Sequence, residues 1–302
     1  MYLITGASGF IGMRLVNALK LESIPLVLLS RKKIPGVETI ICDLELDLIS
    51  ADVFRDVDVV IHLAGYAHDN KATITKKNRY KSLNIDVTER LANVASISGV
   101  KNFVFISSVK ASGAPFPEKC MTELDQANPV DEYGKSKRQA EIKLFKISKK
   151  SNMTVSIVRP ALVFGPDVKG NLSAMMTGID KGYFPPLPNI DNRRSMVHVD
   201  DLVRAIILIA NENRANDNIF NVTDGIPHSS REIYMAMCKI LGRPIPKWNM
   251  PLFLFSSLSF VSFGKLFDFD KLFGDEYYSS KKLTSLGFKA KRSLGEMNET
   301  NF

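Results

Sequence analysis

The stretch Gly6-Ala7-Ser8-Gly9-Phe10-Ile11-Gly12, at the very start of the chain, restricts the fold more than any other. It follows a short apolar run, Tyr2-Leu3-Ile4-Thr5, and precedes Leu15, Val16 and Leu19 at helical spacing. Strand, glycine-rich turn and helix together make a dinucleotide-binding turn. Gly6 permits the tight turn, Gly9 lets the backbone approach a pyrophosphate, and Gly12 lets the helix pack closely on the strand. The helix N-terminus then turns its positive end toward the phosphates. A lone glycine triplet is a weak signal, but one set between a strand and a helix is a strong one.

More strands follow at the spacing of an open parallel sheet. Leu26-Val27-Leu28-Leu29 ends in Ser30-Arg31-Lys32-Lys33. An acid at this strand end would hydrogen-bond the adenosine ribose and select NAD. Ser30 stands in its place with Arg31 behind it, which favours a 2′-phosphate and hence NADP, with NAD the alternative. Thr39-Ile40-Ile41-Cys42 ends at Asp43, whose carboxylate suits the adenine amino group. The run from Asp58 to Leu63 continues into Ala64-Gly65, small enough for the backbone to lie against a cofactor. His62, among apolar neighbours, reads as a satisfied core histidine. A helical pattern, interrupted early, covers roughly residues 71–98. Phe103-Val104-Phe105-Ile106 then delivers Ser107-Ser108 to the carboxyl end of the sheet, where such folds bind ligands.

Composition narrows the class. A chain of 302 residues with 45% hydrophobic and 24% charged content is an ordinary globular protein, either one large α/β domain or a domain with a smaller lobe. Three scattered cysteines, Cys42, Cys120 and Cys238, argue against a disulfide framework and fit a reducing cytoplasm. Four histidines without ligand spacing argue against a metal site. Met1 leads straight into a strand with no signal peptide, so the expected location is cytoplasmic. The net charge of +8 is partly local, at Lys71 to Lys81 and at Lys146, Lys149 and Lys150. Such a surface attracts phosphates, but without interleaved aromatic residues it gives no nucleic-acid motif.

Tyr133-Gly134-Lys135-Ser136-Lys137 carries the chemistry. A tyrosine and a lysine four residues apart share one helix face. A phenol near pKa 10 is a poor base at neutral pH. A lysine cation about 4 Å away, at an effective dielectric near 20, is worth roughly 4 kcal/mol, or about three pKa units. That would bring Tyr133 close to the operating pH, where proton transfer is most efficient. Taken alone the pentapeptide is common on helix surfaces; the glycine-rich turn upstream gives it weight.

With Gly6-x-x-Gly9-x-x-Gly12, Leu63-Ala64-Gly65, Ser107-Ser108 and Tyr133-x-x-x-Lys137 in hand, the chain resembles the extended short-chain dehydrogenase/reductase superfamily, in its nucleotide-sugar branch. The resemblance implies a doubly wound parallel α/β sheet of the Rossmann type with a smaller C-terminal substrate lobe. Residues 1–163, with 195–225 returning to them, would hold the cofactor, and residues 164–302 mainly the substrate. It also implies roles: Tyr133 as acid/base, Lys137 lowering its pKa and holding the nicotinamide ribose, and Ser108 bonding the reacting oxygen. Ser108 is chosen over Ser107 because it stands 25 residues before Tyr133, the spacing of the sugar epimerases that the chain resembles. Further cofactor contacts are implied at Ser8, Phe10, Ile11, Leu44, Asn84, Ser107 and Pro160. Lys110, Asn171, Leu172 and Arg194 would touch a UDP-sugar, Arg194 at its diphosphate, where bidentate guanidinium geometry fits. A homodimer built on a helix bundle is implied as well.

The subclass is narrowed by what is missing. Sugar-nucleotide 4,6-dehydratases place an Asp-Glu pair directly after the catalytic hydroxyl residue, whereas this chain has Val109-Lys110. Lys169-Gly170-Asn171-Leu172 and Asn192-Arg193-Arg194-Ser195 resemble the polysaccharide-cluster branch. With Ser30-Arg31, that resemblance implies the leading reading, NAD(P)-dependent reduction at C4 of a UDP-linked 4-keto-6-deoxy-N-acetylhexosamine in surface polysaccharide biosynthesis. A 4-epimerase of UDP-hexoses or UDP-N-acetylhexosamines with retained NAD is the alternative. A non-catalytic NADP-sensing regulator is the third, weighed against by the retained tyrosine and lysine. Downstream, Val199 to Ala210 is an apolar-periodic helix and Ser229 to Glu232 a capping box. The stretch 251–267 is strongly apolar but short of a membrane span, so burial or a partner interface is expected, with peripheral membrane contact as the alternative.

Overall fold

The computed structural model describes residues 1–67, 78–254 and 272–302. Seven strands form one parallel sheet: β1 (Tyr2–Thr5), β2 (Leu26–Ser30), β3 (Thr39–Ile41), β4 (Val59–His62), β5 (Asn102–Ile106), β6 (Thr154–Pro160) and β9 (Asn218–Val222). Their order is β3-β2-β1-β4-β5-β6-β9, so the winding reverses between β1 and β4. Ligands of doubly wound sheets bind in the crevice at that reversal. The strands read as continuous apolar runs because helices cover both faces.

Alternate strand residues feed two separate cores. Ile4 and Val104 face α1 (Phe10–Leu21) and α5 (Val199–Asn211), meeting Leu15, Leu19, Leu202 and Ile206. Leu3, Phe103 and Phe105 face α2 (Val87–Ile97) and α3 (Glu132–Ser148), meeting Leu91, Ala140 and Leu144. A third core gathers Phe164, Met175, Met196, Ile233 and Met237. It lies under a small sheet of β7 (Leu162–Phe164), β8 (Arg194–His198) and β10 (Pro227–His228), with α4 (Asn171–Asp180) and α6 (Ser230–Ile240). The chain therefore leaves the large sheet after β6 and re-enters it at β9, whose Asn218 pairs with Ser156.

Local signals match these elements. Ser229 and Glu232 form the capping box that starts α6. His62 is fully buried, with Thr5 Oγ1 at 2.7 Å from one ring nitrogen and Thr88 Oγ1 at 2.9 Å from the other. Burial holds its pKa down to about 3, so it stays a neutral core residue. The helical stretch ahead of α2 departs from a plain helix: Tyr80–Asp86 is a π-helical turn. The wider turn moves Asn84 and Ile85 into buried positions, a distortion common beside functional sites. Residues 71–77 of that stretch, and the apolar stretch from 255 onward, lie outside the described residues. No described helix is long and apolar enough to cross a membrane.

Candidate active site

The glycine-rich turn has the shape a pyrophosphate needs. Gly6 has φ +72°, and a Cβ there would stand 2.6 Å from the Ala64 nitrogen. A Cβ on Gly12 would stand 2.3 Å from the Gly6 oxygen, so helix and turn meet at backbone distance. Helix α1 starts from Gly9 with no side-chain cap and no acid in its first turn. Its first N–H groups thus keep their capacity for an anion. Ser8 is exposed, and Phe10 and Ile11 are half-buried, around this N-terminus. These features fit a dinucleotide.

At the adenosine end, Ser30 is half-buried and Arg31 exposed at the close of β2, with no carboxylate on either. Asp43 accepts from the Glu45 N–H at 3.0 Å, and Leu44 packs into the core beneath β3. Leu63, Ala64 and Gly65 leave the end of β4, with Ala64 N–H donating to Thr5 Oγ1 at 3.2 Å. Pro160 ends β6, paired with Val222. Asn84 reaches the same region, but it spends both amide hydrogens on protein, on the Tyr66 carbonyl at 3.0 Å and Ser136 Oγ at 2.9 Å. Its oxygen accepts from Tyr66 N–H at 2.7 Å, which makes Asn84 a brace between the β4 loop and α3.

Helix α3 presents the chemical residues. Asp131 caps it, accepting from Gly134 N–H at 2.6 Å, so Tyr133 sits in the first turn. The phenol is hydrogen-bonded to Ser108, which caps the short 3-10 turn Val109–Ser112 through its own hydroxyl. The buried Lys137 ammonium donates to the Ile106 carbonyl at 2.8 Å and lies 4.5 Å from the Phe105 ring centre. A Cβ on Gly65 would come within 3.3 Å of it, placing that ammonium against the β4 loop. Ser108, Tyr133 and Lys137 are thus brought together.

One expectation is reversed. The Lys137 ammonium stands 6.0 Å from the centre of the Tyr133 ring, yet the phenol is raised, not lowered. Desolvation pushes the phenol up to about 12, the Ser108 bond opposes this, and Asp131 and Tyr80 add to the rise. Lys137 itself is held down to about 8 by desolvation, against an upward pull from Glu141. Burial of the phenol is the largest influence and sets the direction of the shift.

Several residues around the site escape a sequence reading. Glu141, one turn beyond Lys137, is buried and accepts Arg159 through Nε at 2.8 Å and Nη2 at 2.5 Å. Ser107 donates to the same carboxylate at 2.5 Å, so its hydroxyl serves this pair. Tyr80 stands 6.3 Å from Tyr133 and 5.1 Å from Tyr66, ring centre to ring centre, and walls one side. The spacing Tyr133, Lys137, Glu141 was the available signal for the carboxylate.

Two residues past Ser108, Lys110 enters a cavity of about 150 Å³. Asn171, Leu172 and Arg194 line it as well, so four of the residues expected at the substrate meet in one place. Leu162, Met175, Ile233 and Leu272 give it apolar walls. Glu276, not anticipated, bonds both Lys110 and Arg194 there.

A doubly wound sheet, an uncapped glycine turn and a Ser108–Tyr133–Lys137 cluster at the sheet's carboxyl end define an enzyme of the short-chain dehydrogenase/reductase class. The model of the NAD dependent epimerase/dehydratase family matches residues 2–223. The chain belongs to that family, and the protein is an NAD(P)-dependent nucleotide-sugar enzyme. It is similar to a UDP-glucose 4-epimerase of Vibrio cholerae, 33% identical over 97% of this chain and 92% of the relative. It is also similar to an N-acetyl-alpha-D-glucosaminyl-diphospho-ditrans,octacis-undecaprenol 4-epimerase of Escherichia coli O157:H7, 26% identical over 82% of this chain and 75% of that protein. Among solved structures, MoeE5 in complex with UDP-glucuronic acid and NAD superposes with a TM-score of 0.77 at 25% identity, covering 98% of this chain and 95% of that one.

Proposed function

We propose that the protein is a UDP-sugar 4-epimerase that keeps its NAD, acting on a UDP-hexose or a UDP-N-acetylhexosamine. The observation that carries this reading is the short step from Ser108 to Lys110. One turn joins the hydroxyl pair, Ser108 and Tyr133, to the cavity of Lys110, Asn171, Leu172 and Arg194. A sugar carbon at the hydroxyls and a diphosphate at the cations would be parts of one ligand. The Vibrio cholerae relative, a UDP-glucose 4-epimerase matched along nearly the whole chain, supports the reading. In this reading residues 1–163 with 195–225 hold the cofactor, and 164–302 mainly the substrate.

Bound NAD would supply the hydride acceptor at C4 and, when oxidised, a positive charge that favours the ionised phenol. Tyr133 moves the proton of the C4 hydroxyl, and Ser108 bonds the same oxygen as charge develops on it. Lys137, held against Ile106 and Gly65, keeps a positive field beside that oxygen. The α1 N-terminus and Gly6 seat the pyrophosphate, while Ala64 and Gly65 let it lie close.

The second reading, net reduction of a UDP-linked 4-keto-6-deoxy-N-acetylhexosamine, is favoured by Ser30 and the exposed Arg31, which suit NADP as an exchanging reductant. Denaturing the purified protein and identifying the released nucleotide separates the two. Retained NAD supports the epimerase; a protein free of NAD that oxidises added NADPH with a 4-keto sugar nucleotide overturns it in favour of the reductase.

A further inference from the structure

In the cavity beside Ser108, two cations share one counter-ion. The Lys110 ammonium is hydrogen-bonded to Glu276 Oε1, and Arg194 Nη2 donates to Glu276 Oε2 at 3.1 Å. Arg194 Nη1 also donates to the Gly274 carbonyl at 3.2 Å. Glu276 is fixed by its backbone: its N–H donates to the Arg193 carbonyl and its carbonyl accepts from Ser195 N–H, both at 2.8 Å. The carboxylate is thereby anchored alongside Arg194. The side chains are 33% (Lys110), 8% (Arg194) and 17% (Glu276) exposed, so their charges are poorly screened.

Among the described residues lining the cavity, two cations and one carboxylate leave a single net positive charge at a place where the diphosphate of a UDP-sugar brings two negative ones and that of free UDP about three. We propose that Glu276 is an internal competitor for that diphosphate. It holds Lys110 and Arg194 at the cavity and must release them as phosphate oxygens arrive; this inference rests on the UDP-sugar reading. The carboxylate then stands as a like charge beside the phosphates. It sets affinity below what two unshared cations would give, and a weaker grip on the nucleotide favours release, a step that often limits turnover. The arrangement is internal to the substrate cavity and concerns no atom at the reacting carbon.

Calorimetric titration of UDP and UMP into the wild-type protein, Glu276→Gln and Glu276→Asp tests this. Glu276→Gln removes the charge and should bind UDP on the order of tenfold more tightly. The gain for UMP, which brings one phosphate fewer, should be smaller. Glu276→Asp keeps the charge but shortens its reach, so it should fall between, and it carries the test if the glutamine variant folds poorly. Unchanged or weaker UDP binding in both variants, with the wild type binding normally, overturns the inference: Glu276 would then be a brace for the cations. Equal gains for UDP and UMP overturn it too. No UDP binding by any folded form overturns the UDP-sugar reading itself, and is a different result from either.

Discussion

Lys137 Nζ donates to the carbonyl oxygen of Ile106 at 2.8 Å, tying the helix that carries Tyr133 to the end of the strand that carries Ser108. One buried ammonium therefore sets the separation of the two hydroxyls proposed to handle the substrate oxygen. Its burial is costly. Desolvation holds Lys137 down to about 8, against about 10.4 in an unfolded chain.

That depression has a definite sign in stability. Below pH 8 both states carry the proton, and the cost of burying it is fully present. Between about pH 8 and 10.4 the unfolded chain binds more protons than the native one, so stability from this group rises with pH. Lys137→Met should therefore be more stable than the wild type near neutral pH, by on the order of 1–3 kcal/mol, with the gap closing toward pH 10. Urea unfolding at the two pH values checks this. Above pH 10 Tyr133, pushed up to about 12, begins to act in the opposite direction and marks the limit of the window. The same variant should lose activity.

Arg159 and Glu141 form a buried bidentate pair at the base of this arrangement. Arg159→Met leaves the carboxylate charged and without its cation, and should cost about 3–5 kcal/mol in a denaturant melt. The double change Glu141→Gln with Arg159→Met should recover most of the loss, since a neutral amide can still accept from Ser107. Equal destabilisation in both proteins would mean that packing of Arg159, not charge, is what matters.

Ser108→Ala removes the partner of the Tyr133 hydroxyl. Turnover should fall by about 10²–10³, the usual effect of deleting one donor aimed at developing charge, with UDP affinity unchanged. Parallel loss of UDP binding would place Ser108 in ground-state binding instead.

At the end of β2, Ser30→Asp introduces the missing carboxylate beside the ribose position. The ratio of NAD to NADP affinity should move toward NAD by roughly tenfold or more, measured as dissociation constants for each. An unchanged ratio would mean that Ser30 and Arg31 do not face the ribose.

Much of this was legible before the fold. Buried parallel strands are unbroken apolar runs, so β1, β4, β5 and β6 announce themselves, and the small residues after them mark the ligand edge. Ser107 and Ser108 show where sequence runs out. Neighbours at a strand end point to opposite sides, and one hydroxyl goes to the Glu141–Arg159 pair while the other goes to Tyr133. The π-helical turn at Tyr80–Asp86 has no simple periodic signature, so Tyr80 against Tyr133 was hidden. Glu276 lies 166 residues from Lys110, and only tertiary structure brings them together. The direction of the Tyr133 shift differs from the sequence expectation for a related reason: sequence gives the lysine's spacing, but not how deeply the phenol is buried.

The most direct test follows the C4 configuration of UDP-glucose and UDP-N-acetylglucosamine by nuclear magnetic resonance while reduced nicotinamide is monitored by absorbance, for the wild type and for Tyr133→Phe. The wild type should interconvert the C4 epimers of one of these substrates with no net change in cofactor. Tyr133→Phe should bind UDP but be silent. Sustained epimerisation by Tyr133→Phe, or no inversion by a wild-type protein that binds both UDP and NAD, would contradict the proposed role of this tyrosine.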